Sequence, residues 1–150
     1  MYQFFLFAHS WVRWIILIVG LIVIVKSFIG MNGGDFTKKD ASLTKVFAMA
    51  MRLQFVLGLL LYFVFSPITQ AGFEDFGGAM KNSGLRYWMV EHLFAMIVGI
   101  ALIEIGAKKS KKAATSKGKF KAQAIFFTIA MIVMLSRIPF DQAGRLFRGL

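Results

Sequence analysis

The sequence predicts an all-α integral membrane protein, a four-helix bundle that runs up and down and leaves both termini on the outer side. Three observations carry this expectation. The first is composition: of 150 residues, 58% are hydrophobic and only 17% are charged, with a mean hydropathy of +0.69. A soluble domain holds about 45–50% apolar and about 25% charged residues, and a chain this short must wet much of its surface. The excess argues against a water-soluble enzyme and against a disordered chain, which needs low hydrophobicity. The second observation is the occurrence of apolar runs of roughly 20 residues, the length that crosses a bilayer. The third is charge placement. The net charge of +11 comes from 18 Lys+Arg against 7 Asp+Glu, gathered into blocks between the apolar runs. Spread over a polar chain it would suggest nucleic-acid binding; placed as it is, it reads as membrane topology, with the lipid bilayer as the partner and no nucleic acid.

The first span is expected over residues 4–25, interrupted by His9 and Arg13. It lacks a basic leading segment and a small-residue cleavage site, so it reads as a retained span rather than a signal peptide. The second is expected over 45–65, with Arg52 and Gln54 near its start and Pro67 after it. The third covers 87–106 and contains Glu91, His92 and Glu104. The fourth covers 120–138, with Arg137 near its end and Pro139 as the stop. Between them lie a short loop at 30–44, a glycine-rich loop at 66–86 carrying Glu74 and Asp75, and a lysine block at 107–121. No connection is long enough to hold a second domain. The two halves share a plan, helix inward, basic loop, helix outward, which suits a parallel duplication.

Basic residues in short loops set orientation. The first and third loops with their helix ends hold Lys26, Lys38, Lys39, Lys45, Lys108, Lys109, Lys111, Lys112, Lys117, Lys119 and Lys121. The opposite side holds Lys81, Arg86, Arg145 and Arg148, plus Arg13 and Arg137 just inside the helices. The lysine-rich loops are therefore expected in the cytoplasm, touching anionic lipid or, alternatively, a docking partner. The chain has no cysteine, which excludes disulfides, thiolate metal sites and covalently attached haem.

Ionisable groups inside a bilayer are costly and usually face the bundle interior, so they mark the place to look for function. The only histidines, His9 and His92, each lie about five residues into a span, roughly 7–8 Å below the outer boundary at 1.5 Å per residue. Two imidazoles facing each other at one depth have the geometry to clamp a haem iron from both sides. Gly20 and Gly99, on the histidine faces of their helices, leave room for a flat macrocycle or for the close approach of another helix. Arg13 and Arg137 are placed to meet a haem propionate or Glu91. Two other readings remain open from the residues alone: a polar clasp in which the histidines bond Glu91 and the arginines, and a proton path through Glu91 and His92.

Arg52 and Glu104 are expected to pair, and Gln54, Gly58 and Tyr62, recurring at i+4, mark the inward stripe of the second helix. Trp11, Trp14, Tyr87 and Trp88 read as an interfacial aromatic belt. Met96 lies on the face of His92 and reads as packing. No nucleophile elbow, phosphate loop or zinc-protease motif is present.

Five segments, His9-Ser-Trp-Val-Arg-Trp14, Phe36-Thr-Lys-Lys-Asp40, Leu53-Gln-Phe-Val-Leu-Gly-Leu-Leu-Leu-Tyr62, Arg86-Tyr-Trp-Met-Val-Glu-His92 and Ile138-Pro139, together resemble a group of small bacterial four-helix membrane proteins labelled cytochrome b-like. The chain departs from that pattern at Phe140, where the group leads one to expect tryptophan. The resemblance implies a b-type haem in the bacterial cytoplasmic membrane, with His9 and His92 in the positions that match its ligands. The expected function is then electron transfer, from a quinol or a membrane protein partner to an acceptor on the outer side. The alternative is a cofactor-free accessory subunit of a larger membrane complex or homo-oligomer. A small proton-coupled carrier ranks last, because four helices leave little room for alternating access.

Overall fold

The computed structural model describes residues 1–147. Helix α1 (Tyr2–Gly30) is followed by α2 (Lys38–Leu60), which continues through a π-helical turn, Leu61–Phe65. Three short helices come next: α3 (Pro67–Glu74), α4 (Phe76–Lys81) and α5 (Ser83–Arg86). From α5 the chain passes through a second π-helical turn, Tyr87–Glu91, into α6 (His92–Lys112). Helix α7 (Ser116–Leu135) completes the bundle and α8 (Ala143–Leu146) folds back over its end. Four stretches, Tyr2–Gly30, Lys38–Phe65, Ser83–Lys112 and Ser116–Leu135, are long and apolar enough to cross a membrane. The outward faces agree: Phe4, Leu21, Phe94 and Ile132 are each at least 60% exposed, far more apolar surface than water tolerates. The protein is a multi-pass membrane protein of the all-α class, and Arg148 lies outside the described residues.

The connections depart from expectation. The lysine block is not a loop: α6 extends to Lys112 and α7 starts at Ser116. Thr115 caps α7, its hydroxyl accepting from the Gly118 amide at 3.1 Å. Lysine stems tolerate helix well, and only Ala113–Thr115 turns the chain. The glycine-rich segment is likewise folded into α3, α4 and α5, each begun by a side-chain cap from Ser66, Asp75 or Asn82. Pro67, expected only to stop a helix, also opens one, because the first helical position needs no amide hydrogen. Helix α2 begins with a capping box between Thr37 and Asp40. Asp40, nearly buried, also pairs with Lys26 of α1 at 2.9 Å.

The helices close in the order α1, α2, α6, α7, with α7 returning to α1. Lipid supplies no hydrophobic drive between helices, so close approach depends on small residues and polar ties. Both devices are present. A methyl at Gly20 would strike Met131 and Phe47, one at Gly30 would strike Phe120, and one at Gly106 would come within 2.6 Å of Phe126. The interior at this level is filled by Phe47 and Phe127, both fully buried and edge to face at 5.3 Å.

The polar tie is Gln123, buried on α7. Its amide nitrogen donates to Thr44 of α2 and Ser110 of α6, both at 2.8 Å. Its amide oxygen accepts from Ser27 of α1 at 3.1 Å. Four spans thus meet in one fully hydrogen-bonded knot at the lysine-rich end. We expect Gln123→Ala to lower stability by about 1–3 kcal/mol, through orphaned hydroxyls and a cavity. The unfolding midpoint in mild detergent measures this, and an unshifted midpoint rejects the role of the knot.

Candidate functional site

At the opposite end, the one that holds the start of α1 and helix α8, two π-helical turns shape a site. In each, the amide that ends the turn reaches back five residues: Ser66 to the Leu61 carbonyl at 2.8 Å, and His92 to the Tyr87 carbonyl. Such a turn inserts one residue, rotating the downstream backbone by about 100°. It also frees carbonyls from their i+4 partners. The structure satisfies them across elements. The Tyr62 hydroxyl donates to the Met89 carbonyl at 2.9 Å, joining one π turn to the other. The Thr69 hydroxyl of α3 donates to the Tyr62 carbonyl at 2.6 Å. Helix α3 comes this close because its Gly72 sits against Met89, where a Cβ would lie 2.5 Å from the sulfur.

His92 therefore begins α6 with its ring turned toward α1. The His9 and His92 ring centroids are 6.4 Å apart, with their planes at 62°, so the expected common depth holds. His92 Nδ1 lies 3.0 Å from the Arg137 carbonyl. That oxygen can only accept, so Nδ1 carries the hydrogen and Nε2 of the neutral ring keeps its lone pair. The carbonyl is free because α7 has just ended; it accepts the Tyr87 hydroxyl as well, at 2.7 Å. Trp88 lies 5.4 Å from the His92 ring.

His9 is seated by α2. A Cβ on Gly58 would fall 3.3 Å from His9 Cε1, so glycine admits the ring. One turn earlier, the Gln54 amide donates to the His9 backbone carbonyl at 2.9 Å. Among the described residues, four buried side-chain polar atoms have no hydrogen-bond partner, and three of them cluster here: His9 Nδ1, Arg13 Nε and Gln54 Oε1. Buried polar atoms are normally satisfied, so three orphans in one place mark a cradle that a polar guest completes.

Open space adjoins the pair. A cavity of about 110 Å³ is bounded by His9, His92, Gly58, Tyr62, Trp88 and Arg145, with mostly apolar walls. A smaller one of about 40 Å³ touches both histidines as well, with Arg13, Met51 and Met134. The donor set suits an iron porphyrin: two imidazoles facing each other, one of them with its second nitrogen held by a carbonyl, the usual way a ligating histidine is oriented. The larger cavity, about 110 Å³, is smaller than the roughly 150 Å³ that admits benzene, so it does not hold a whole macrocycle as it stands.

Of the other expected residues, Arg13 lines both cavities and Arg137 contributes its backbone carbonyl, while Gly20 and Gly99 fall elsewhere. Arg13 does not meet Glu91. Its guanidinium donates to the carbonyls of Arg145 and Leu146 at 2.9 and 3.0 Å, and the Trp14 indole donates to Leu146 at 2.8 Å. These are the open carbonyls at the end of α8, and they draw that helix over the cavity. Glu91 pairs with Arg86 at 3.2 Å and, as expected, with Arg137 at 3.7 Å. The histidines make no bond to Glu91, so the clasp does not form as expected. Gly20 and Gly99 line neither cavity. Gly99 meets Met134, whose Cγ would lie 2.8 Å from an added Cβ. Trp14 stacks on Phe147 at 5.1 Å, and Arg145 lies 4.5 Å over Trp88.

Gln54, Gly58 and Tyr62 belong to the site, although their spacing marked them only as an inward stripe. No residue signal pointed to the Arg137 carbonyl or to Arg145. Comparison with known protein families, curated proteins and solved structures finds no match to this chain.

Removing the tie between the π turns tests whether each depends on the other. We expect Tyr62→Phe to cost about 1 kcal/mol, because the Met89 carbonyl loses its donor. Thermal unfolding in detergent measures it, and an unchanged midpoint means the turns hold themselves.

Proposed function

We propose that this chain is a membrane electron carrier of the b-type cytochrome kind, with His9 and His92 as the two axial ligands of a haem iron. The observation that carries the reading is the convergence of the only two histidines, from α1 and α6, beside a cavity, at a ring separation of 6.4 Å. Haem held by His9 and His92 would supply one-electron chemistry, and with both imidazoles as ligands it would pass electrons rather than bind oxygen. The chain's own groups then have separate tasks. The Arg137 carbonyl fixes the His92 tautomer, leaving Nε2 as the ligand. Arg13 and Arg145, at the cavity wall, supply positive charge for propionates. Gln54 and Gly58 set the position of His9, and α8 with Trp88 limits water at the mouth.

The positive-inside bias supports an orientation with the lysine-rich end in the cytoplasm of a bacterium and both termini outside. The histidine pair then lies near the outer face, placed to take electrons from a quinol or a membrane protein partner and hand them to an outer acceptor. A chain without cysteine allows a direct check. In intact cells, an impermeant thiol reagent should label Gly77→Cys and spare Lys117→Cys; the reverse pattern overturns the orientation.

The cofactor is tested by a reduced-minus-oxidised visible spectrum of the protein purified in mild detergent. The expected result is a sharp low-spin haem band, lost in His9→Ala and in His92→Ala while the protein still accumulates in the membrane. A colourless wild-type preparation that co-purifies with other subunits selects the second reading, a cofactor-free accessory subunit.

A further inference from the structure

A charged pair lies well away from the histidine site. Arg52 of α2 and Glu104 of α6 form a two-point ion pair, Nε to Oε1 at 2.7 Å and Nη2 to Oε2 at 2.8 Å. It does not face the bundle interior. The side chains are 59% and 40% exposed, on the outside of a membrane-spanning bundle. Arg52 lies seven residues beyond Lys45 and Glu104 four residues short of Lys108, about 6–10 Å farther into the apolar slab than those lysines. The two bonds hold the guanidinium there, so it does not reach back to the headgroups. Charges at that depth are found facing protein or a water-filled cavity, not hydrocarbon.

The seam beneath the pair is also the weakest in the ring. Helices α6 and α7 approach through Gly99 and Gly106, and α1 meets its neighbours through Gly20 and Gly30. Among the described residues the direct side-chain tie between α2 and α6 is the Arg52–Glu104 pair, and the Tyr62 bond to Met89 joins the π turns that continue them. The exposed residues beside the pair are apolar. Met49 and Val56 flank Arg52 on α2, with Ala101 and Ile97 on α6, all exposed.

We propose that two copies of this chain pair through the α2–α6 face, with Arg52 of each copy set against Glu104 of the other. The second copy fits because the face is complementary to itself. Both copies enter the bilayer in one orientation, so the axis relating them is a two-fold along the membrane normal. The ion pair joins two neighbouring helices at one level, so its dipole lies in the membrane plane. A half-turn about the normal reverses that dipole. The two pairs then meet head to tail and make a ring of four alternating charges, shielded from lipid and satisfied on both sides. Val56 and Ala101, each about one turn from the pair on the same side of it, come opposite each other across the interface.

The experiment uses the full chain in its native membrane. Copies carrying Val56→Cys and copies carrying Ala101→Cys are co-expressed with different tags and oxidised. With no native cysteine, a disulfide between them can only be intermolecular, and it should appear at twice the 16.9 kDa of one chain. In this background R52E in both copies, or E104R in both, sets like charges together and should abolish the crosslink. One R52E copy with one E104R copy restores opposite charges only across the interface and should recover it. R52E/E104R in both copies reverses every pair and should also crosslink, which shows that the substitutions are compatible with folding. The uncharged R52L/E104L chain should lose the crosslink. Val56→Cys and Ala101→Cys copies that keep Arg52 and Glu104 and yet give no crosslink with each other, staying at 16.9 kDa or held by a different protein, overturn the proposal. So does a crosslink that persists in R52E or R52L/E104L, or one that fails to return in the mixed pair while both copies accumulate.

Discussion

Gln123 holds a position on which the rest of the bundle depends. One amide, buried among hydroxyls from the three other spans, sets the height of every helix at the lysine-rich end. Its importance comes from the surroundings. Helices in lipid gain nothing by hiding apolar surface from one another, so register has to come from shape and from polar atoms that accept no other partner. Around the knot the shape is supplied by Gly20, Gly30 and Gly106, each filled by a ring or a methionine from a neighbouring helix. Slip one helix by a turn and both the bonds and these contacts are lost together.

The same scarcity of water explains the opposite end. A π turn frees backbone carbonyls, which is costly where nothing else can donate to them. This chain places two such turns side by side and lets each answer the other, with Tyr62 reaching Met89 and Thr69 reaching Tyr62. The carbonyl left at the end of α7 is used similarly, by Tyr87 and by His92. The irregular backbone is therefore tied down at the level where the histidines meet. Of the four buried polar atoms left without a partner among the described residues, the three on His9, Arg13 and Gln54 are gathered at one cavity.

The two ends differ in kind. At the lysine-rich end every buried polar group of the knot is matched, and the charges of Lys26 and Asp40 close on each other. At the other end the cavities lie beside the loosest seam, and the segment over them is a four-residue helix held by Arg13 and Trp14.

Much of this was determined by residue order alone. Hydropathy placed four spans and the histidine spacing placed both rings at one depth, because helical rise converts sequence distance into height without reference to a neighbour. The Arg52–Glu104 pair came from the same arithmetic. What tertiary structure decided was direction around the helix axis and the use of backbone atoms. The π turns rotate Tyr62 and His92 relative to their own helices, and no periodicity reveals an inserted residue. Arg13 turned to the carbonyls of α8 rather than to Glu91, since an unpaired helix end lay nearer than the acid. Gly20 and Gly99 went to helix contacts, not to the cavity, because the partner filling a missing side chain is chosen by the fold. Sequence sets how high each group stands in the bundle; only packing sets which way it faces.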